Sequence, residues 1–197
     1  AEKVHHPPAV AMQLSDANAD LPGACEAFKK LVFHRVGEDI NPDMVALVND
    51  SGSAETFAAA AGVVNDALGV PMVLISSDAA ALSAAATGPL AETRPVLSYT
   101  GAPGDDGLAE LASNAKAPLC VSGSIEDVAA ATEALAKAGA ADLMISPGAV
   151  GVDDGLAFVT KARRAALKKT FRPLGYPALV TACGEDKVAA ALDGLTY

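Results

Sequence analysis

Residues 44–68, MVALVNDSGSAETFAAAAGVVNDAL, hold the architectural unit of the chain. Met44 to Val48 is an unbroken apolar run of strand length, with no polar face. Asn49-Asp50-Ser51-Gly52-Ser53 follows as a polar turn. Ser53, with Thr56 three residues on, can cap the Ala-rich helix of 54–68, although the Glu or Gln of a full capping box is missing. A strand apolar on both faces is expected where both faces are covered, as in a parallel sheet flanked by helices.

The unit repeats on both sides. Upstream, Pro8 to Leu14 reads as a first strand, and Asp20-Leu21-Pro22 opens a helix with Ala24, Ala27, Phe28, Leu31 and Val32 on its buried face. His34 then falls near the C-terminal end of that helix. Downstream, Val70 to Ile75, Val96 to Tyr99, Ala117 to Val121, Asp142 to Ile145 and Ala178 to Ala182 read as strands. Helices follow through about Ala86, around Leu108 and Leu111, from Ser124 to a stop at Gly139, over about 154–170, and from near Glu185. Ser124 and Asp127 make a plausible capping pair.

Two parallel architectures fit, an open doubly wound sheet and a barrel. No GxGxxG fingerprint follows the first strand, and the units are regular in length, which favours a TIM (β/α)8-type barrel. About seven of the eight strand–helix units are present. Residues 1–197 are expected to form one barrel domain, short of the typical length of about 250 residues.

Composition narrows the function. The 197 residues carry 24 Asp and Glu against 14 Lys and Arg, a formal net charge of -10, which leaves no cationic excess for nucleic acid. No run of about twenty residues is apolar enough for a membrane span. Cys25, Cys120 and Cys183 are far apart and form no CxxC pair. They read as reduced core residues of a cytoplasmic protein, with no metal site. His5-His6 lacks a third ligand at useful spacing.

In a barrel, ligands sit at the C-terminal ends of the strands. The candidates there are Asn49, Asp50 and Ser51, Ser77 and Asp78, Thr100, Ser122, Pro147, and Thr181 with Cys183. This is mild chemistry. No His, Lys or Glu stands at those ends, so acid–base work rests on Asp50 and Asp78, each of which can equally be a helix cap. Cys183 has no His placed to activate it, and Thr100-Gly101-Ala102-Pro103-Gly104 lacks the Lys and Ser or Thr of a P-loop. No catalytic residue is assigned, and the inventory points to a binding or scaffolding barrel.

Residues 161–182, KARRAALKKTFRPLGYPALVTA, stand apart from this acidic background. Lys161, Arg163, Arg164, Lys168, Lys169 and Arg172 are six of the 14 basic residues. They decorate the end of a helix that Pro173, Gly175 and Pro177 forbid from continuing. The run ARRAALKKTFRPLGYP also resembles a segment of the large (gamma) subunit of the corrinoid iron–sulfur protein, part of the acetyl-CoA decarbonylase/synthase complex. DMVALVNDSGSAETFAAA (43–60), VPMVLISSD (70–78), RPVLSYTG (94–101), APLCVSGSIEDV (117–128) and ADLMISPG (141–148) follow the order and spacing of that family.

The resemblance implies the TIM-barrel domain of such a subunit, without its N-terminal [4Fe–4S] module and its C-terminal corrinoid-binding domain. It implies a part in the Wood–Ljungdahl pathway of one-carbon metabolism. There the carrier takes a methyl group from methyltetrahydropterin onto cobalamin and passes it to acetyl-CoA synthase. It further implies a heterodimer with the small (delta) subunit barrel, with a methyltransferase and acetyl-CoA synthase as further partners. Cobalamin and [4Fe–4S] belong to the full assembly, and none is expected on this chain alone. One alternative is a pterin-binding methyltransferase barrel, in which Asn49, Asp50 and Asp78 hydrogen-bond the pterin ring. Another is a relative of the small subunit, whose barrel caps the corrinoid.

Overall fold

A computed structural model describes residues 8–104, 107–182 and residue 194. Strand β1 (Ala11–Ser15) leads into helix α1 (Leu21–Lys29), and a short hairpin, β2 (Phe33–Arg35) with β3 (Glu38–Ile40), interrupts the repeat. The regular units follow: β4 (Met44–Val48) and α2 (Ala54–Leu68), β5 (Met72–Ser76) and α3 (Ala79–Thr87), β6 (Val96–Tyr99) and α4 (Gly107–Ala115). They continue with β7 (Leu119–Ser122) and α5 (Ile125–Lys137), then β8 (Leu143–Ser146) and α6 (Val152–Lys168). A 3-10 turn at Arg172–Leu174 follows α6.

The six long strands form one parallel sheet in the order β1-β4-β5-β6-β7-β8. Each strand is added beside its predecessor on the same side. A doubly wound sheet would reverse direction at a switch point, so the winding is that of a barrel wall. Val45, Leu47, Leu74, Leu97, Leu119 and Val121 are fully buried in the sheet, and Phe57, Val64, Leu82, Leu108 and Val128 bury the inner faces of the helices against it. Burying one such side chain is worth about 1.5–3 kcal/mol, so this two-layer contact carries the fold.

The expected caps are present. Ser53 Oγ accepts from Thr56 N at 3.2 Å, and Asp78 Oδ1 accepts from Ala80 N at 2.8 Å. Ser124 Oγ accepts from Asp127 N at 3.2 Å. Gly139 follows the cap of α5 with φ 95, the left-handed geometry that a side chain would strain.

Three expectations need correction. The first helix stops at Lys29, because Leu31 and Val32 turn the chain into the hairpin, so His34 is no helix-end charge. It sits on β2 and contacts Asp39 Oδ1 across the hairpin. The hairpin escapes prediction because its turn is Val36-Gly37, where both residues take positive φ (52 and 82) without the usual Asn or Asp. The strand expected at 178–182 is reduced to one parallel bridge, Ala178 to Ile145. Ile145 N donates to Pro177 O and Leu179 N to Ile145 O, both at 2.9 Å, so the chain enters the seventh position of the wall. Pro177 has no N–H to extend the ladder. The helix expected from Glu185 and the Cys183 position lie outside the described residues.

Candidate functional site

The C-terminal ends of the six parallel strands gather a hydrogen-bonded polar rim. Its anchor is Asp16, one residue past β1, only 6% exposed. Asp16 Oδ1 accepts from the backbone N–H of Asp50 (2.8 Å) and Ser51 (2.9 Å), and Oδ2 accepts from the Ser51 hydroxyl (2.6 Å). One buried carboxylate thus ties the end of β1 to the loop after β4. Hydrogen bonds to a charged acceptor are the strong ones, and three on one carboxylate fix that loop.

The loop in turn holds its own side chains. Ser15 Oγ donates to Asp50 Oδ2. Asn49 Oδ1 accepts from Gly52 N at 3.0 Å, while its Nδ2 donates to Ser76 Oγ, the end of β5, at 3.0 Å. Ser76 Oγ also accepts from Asp78 N at 3.0 Å, and Ser76 O accepts from Thr100 N at 3.0 Å. The rim therefore runs continuously from β1 through β4 and β5 to β6. On the far side Ser122 and Ser146 end β7 and β8 in register, both buried, and Ser146 Oγ accepts from Gly148 N at 3.0 Å. A Cβ at Gly101 would fall on the Tyr99 ring, so a side chain there would force that ring to move.

The sequence candidates divide accordingly. Asn49, Asp50, the Thr100 backbone and, through Ser76, Asp78 belong to one network. Ser122 lies at a strand end on the opposite side, and Ser77 is exposed beside the cap of α3. Thr181 is half-buried and outside any strand. Asp78 is a helix cap, whereas Asp50 is not, since Ser53 takes that position. Four residues escaped notice: Ser15, Asp16, Ser76 and Ser146. Their signal was present, since β1, β5, β7 and β8 each end in serine, and ending the first strand at Leu14 hid Ser15 and Asp16.

Among the described residues electrostatics add no nucleophile. Cys120 lies in β7, where burial pushes its thiol up to about 12, with a Ser98 hydrogen bond acting weakly against it. Burial also raises Cys25, ahead of the opposing pull of Lys29. A thiol held protonated is neither a nucleophile nor a ready ligand. Among the described residues no group of three or more His, Cys, Asp and Glu is arranged to hold a metal ion, so these residues do not fit an iron–sulfur cluster. No helix among them is long and apolar enough to cross a membrane.

Sequential parallel winding and a polar rim at the carboxyl ends of the strands define a TIM-type α/β barrel. Solved structures agree on the fold: dihydropteroate synthase from Thermus thermophilus superposes with a TM-score of 0.67 at 16% identity, covering 95% of this chain and 83% of that one. The enzyme from Xanthomonas albilineans in complex with 7,8-dihydropteroate gives 0.66 at 13% identity, covering 96% and 83%. Residues 1–192 match the family described as CO dehydrogenase/acetyl-CoA synthase delta subunit, and the chain belongs to that family. It is similar to the corrinoid/iron–sulfur protein large subunit of Moorella thermoacetica, 31% identical over all of this chain and 44% of the relative. It is also similar to the acetyl-CoA decarbonylase/synthase complex subunit gamma of Methanothermobacter thermautotrophicus, 29% identical over 94% of this chain and 43% of that protein. The chain thus spans less than half the length of these relatives.

Proposed function

We propose that residues 1–197 are a barrel platform in a corrinoid iron–sulfur methyl carrier that serves acetyl-CoA synthesis. The observation that carries this reading is the use of the rim's polar groups on one another. Asp16 is consumed by the β4 loop, Asp50 by Ser15, Asp78 by the first turn of α3 and Ser76 by Asn49. A general acid or base needs a proton site open to substrate, and this rim offers few.

In this reading the barrel packs against the small-subunit barrel in the cytoplasm. Cobalamin and the [4Fe–4S] cluster reside on other parts of the assembly, and the cobalt does the methyl chemistry. The large-subunit assignment follows the two curated relatives. The delta-subunit description of the family favours instead a barrel that caps the corrinoid. Co-expression with each barrel subunit of the complex separates the two. Recovery of a one-to-one heterodimer with the small subunit supports the large-subunit role, and pairing only with a large subunit reverses it.

One observation favours a second reading, a pterin-binding barrel. Asn49 and the exposed Asp50 stand at the mouth of a fold whose solved neighbours include a dihydropteroate complex. Asn49, Asp50, Ser77, Asp78, Thr100, Ser122 and Thr181 are the residues such a ligand would meet. Calorimetry with methyltetrahydrofolate tests it, and micromolar binding lost in Asn49→Ala would favour it.

A further inference from the structure

The C-terminal half of helix α6 carries cations that pair with no carboxylate among the described residues. Lys161, Arg163, Arg164 and Lys168 lie on it, and Lys169 and Arg172 follow. Cations in the last turn offset the helix dipole, but that effect fades within one turn, and Lys161, Arg163 and Arg164 stand higher. No Asp or Glu lies three or four residues from any of them, whereas Lys161 with Arg164 and Arg164 with Lys168 place like charges at those spacings. Such pairs destabilise a helix.

Elsewhere among the described residues three cations are paired, although Lys30 and Lys116 are not. Lys29 pairs with Glu26, Lys137 with Glu133 and Arg94 with Asp142. Among the described residues none of the six cations of 161–172 makes an ion pair.

Apolar side chains lie among these charges. Val159, Arg163 and Leu167 form one row and Thr160, Arg164 and Lys168 the next, and together they line a shallow groove of about 350 Å³. Leu167 is 70% exposed, and Phe171, just beyond the helix, is 41% exposed. Large apolar groups between unpaired cations suit a partner that offers both apolar and acidic side chains.

We infer that this face of α6 docks an acidic amphipathic helix of another polypeptide, with carboxylates meeting Arg163, Arg164 and Lys168 and an apolar side chain lying beside Leu167. An extended polyanion fits less well. Nucleic acid or an anionic membrane would meet the field of a chain with net charge -10. A single helix feels mainly the charges within a Debye length of about 8 Å.

The test uses fluorescence anisotropy of the full chain with a labelled helical peptide in which Glu recurs every fourth residue beside Leu. At low salt the peptide binds, and the double variant R163E/R164E weakens it at least roughly tenfold, as does raising the salt to about 0.5 M. Leu167→Asp weakens binding without moving the thermal midpoint. The milder R163Q/R164Q replaces the double reversal should that variant not fold. The proposal is overturned by equal binding to the charge-reversed chain, by no binding at low salt, or by tighter binding of single-stranded DNA or phosphatidylserine vesicles. It is also overturned if the chain self-associates through Arg163 and Arg164, which makes a second copy the occupant.

Discussion

The strand-end rim and the outer face of α6 are both rich in polar groups, yet they treat them in opposite ways. At the rim, carboxylates, hydroxyls and an amide are matched to one another or to backbone N–H groups, and among the described residues no buried side-chain N or O lacks a partner. On α6, cations repeat at spacings where they repel, beside exposed Leu167 and Phe171. The difference separates what the fold needs from what it leaves open. An internally matched network holds strands in place, whereas the α6 array meets no carboxylate partner among the described residues.

The comparison breaks first at Asp16. Asp16→Ala leaves two backbone N–H groups and the Ser51 hydroxyl without their acceptor, a loss of about 2–4 kcal/mol. Urea unfolding should show a lower midpoint at unchanged slope. Asp50→Ala, whose side chain is exposed and, among the described residues, held by Ser15, should lose less than about 1 kcal/mol. Equal effects would mean that the rim is not organised around Asp16.

A second test addresses the buried interior beneath the rim. The Cys120 thiol titrates near 12 in the folded chain against 9.0 when free. Its folded value is raised, so its contribution is fully present below about pH 9 and is lost as pH climbs toward 12. Cys120→Ala should flatten stability against pH over that window, and an unchanged slope would place the titration elsewhere.

Smaller effects sharpen the contrast. Ser76→Ala removes one hydroxyl shared by Asn49 and Asp78 and should lose about 1 kcal/mol. Arg163→Glu with Arg164→Glu, by contrast, should change stability by no more than about 0.5 kcal/mol, because no folded-state partner among the described residues is lost. A large loss on α6 would mean that its cations serve the fold after all.

Much of this was legible in sequence. Apolar runs such as Met44 to Val48 announce a strand covered on both faces, and the caps Ser53, Asp78 and Ser124 follow from the side chain and its position. The rim was half legible. Asn49 and Asp50 stand in an obvious polar turn, but Asp16 is recognised only once β1 and β4 lie side by side, a long-range pairing that local pattern does not encode. The hairpin at Phe33–Ile40 was hidden by a β-branched residue at positive φ, whereas the strand expected at 178–182 is reduced to the single bridge from Ala178 to Ile145.

The central claim is that the rim's polar groups serve the barrel rather than a substrate. Titrating the chain with methyltetrahydrofolate in a calorimeter tests it directly. The account predicts no heat beyond dilution at ligand concentrations approaching about 1 mM, where even weak binding of about -4 kcal/mol would register. Micromolar binding that disappears in Asn49→Ala would contradict it.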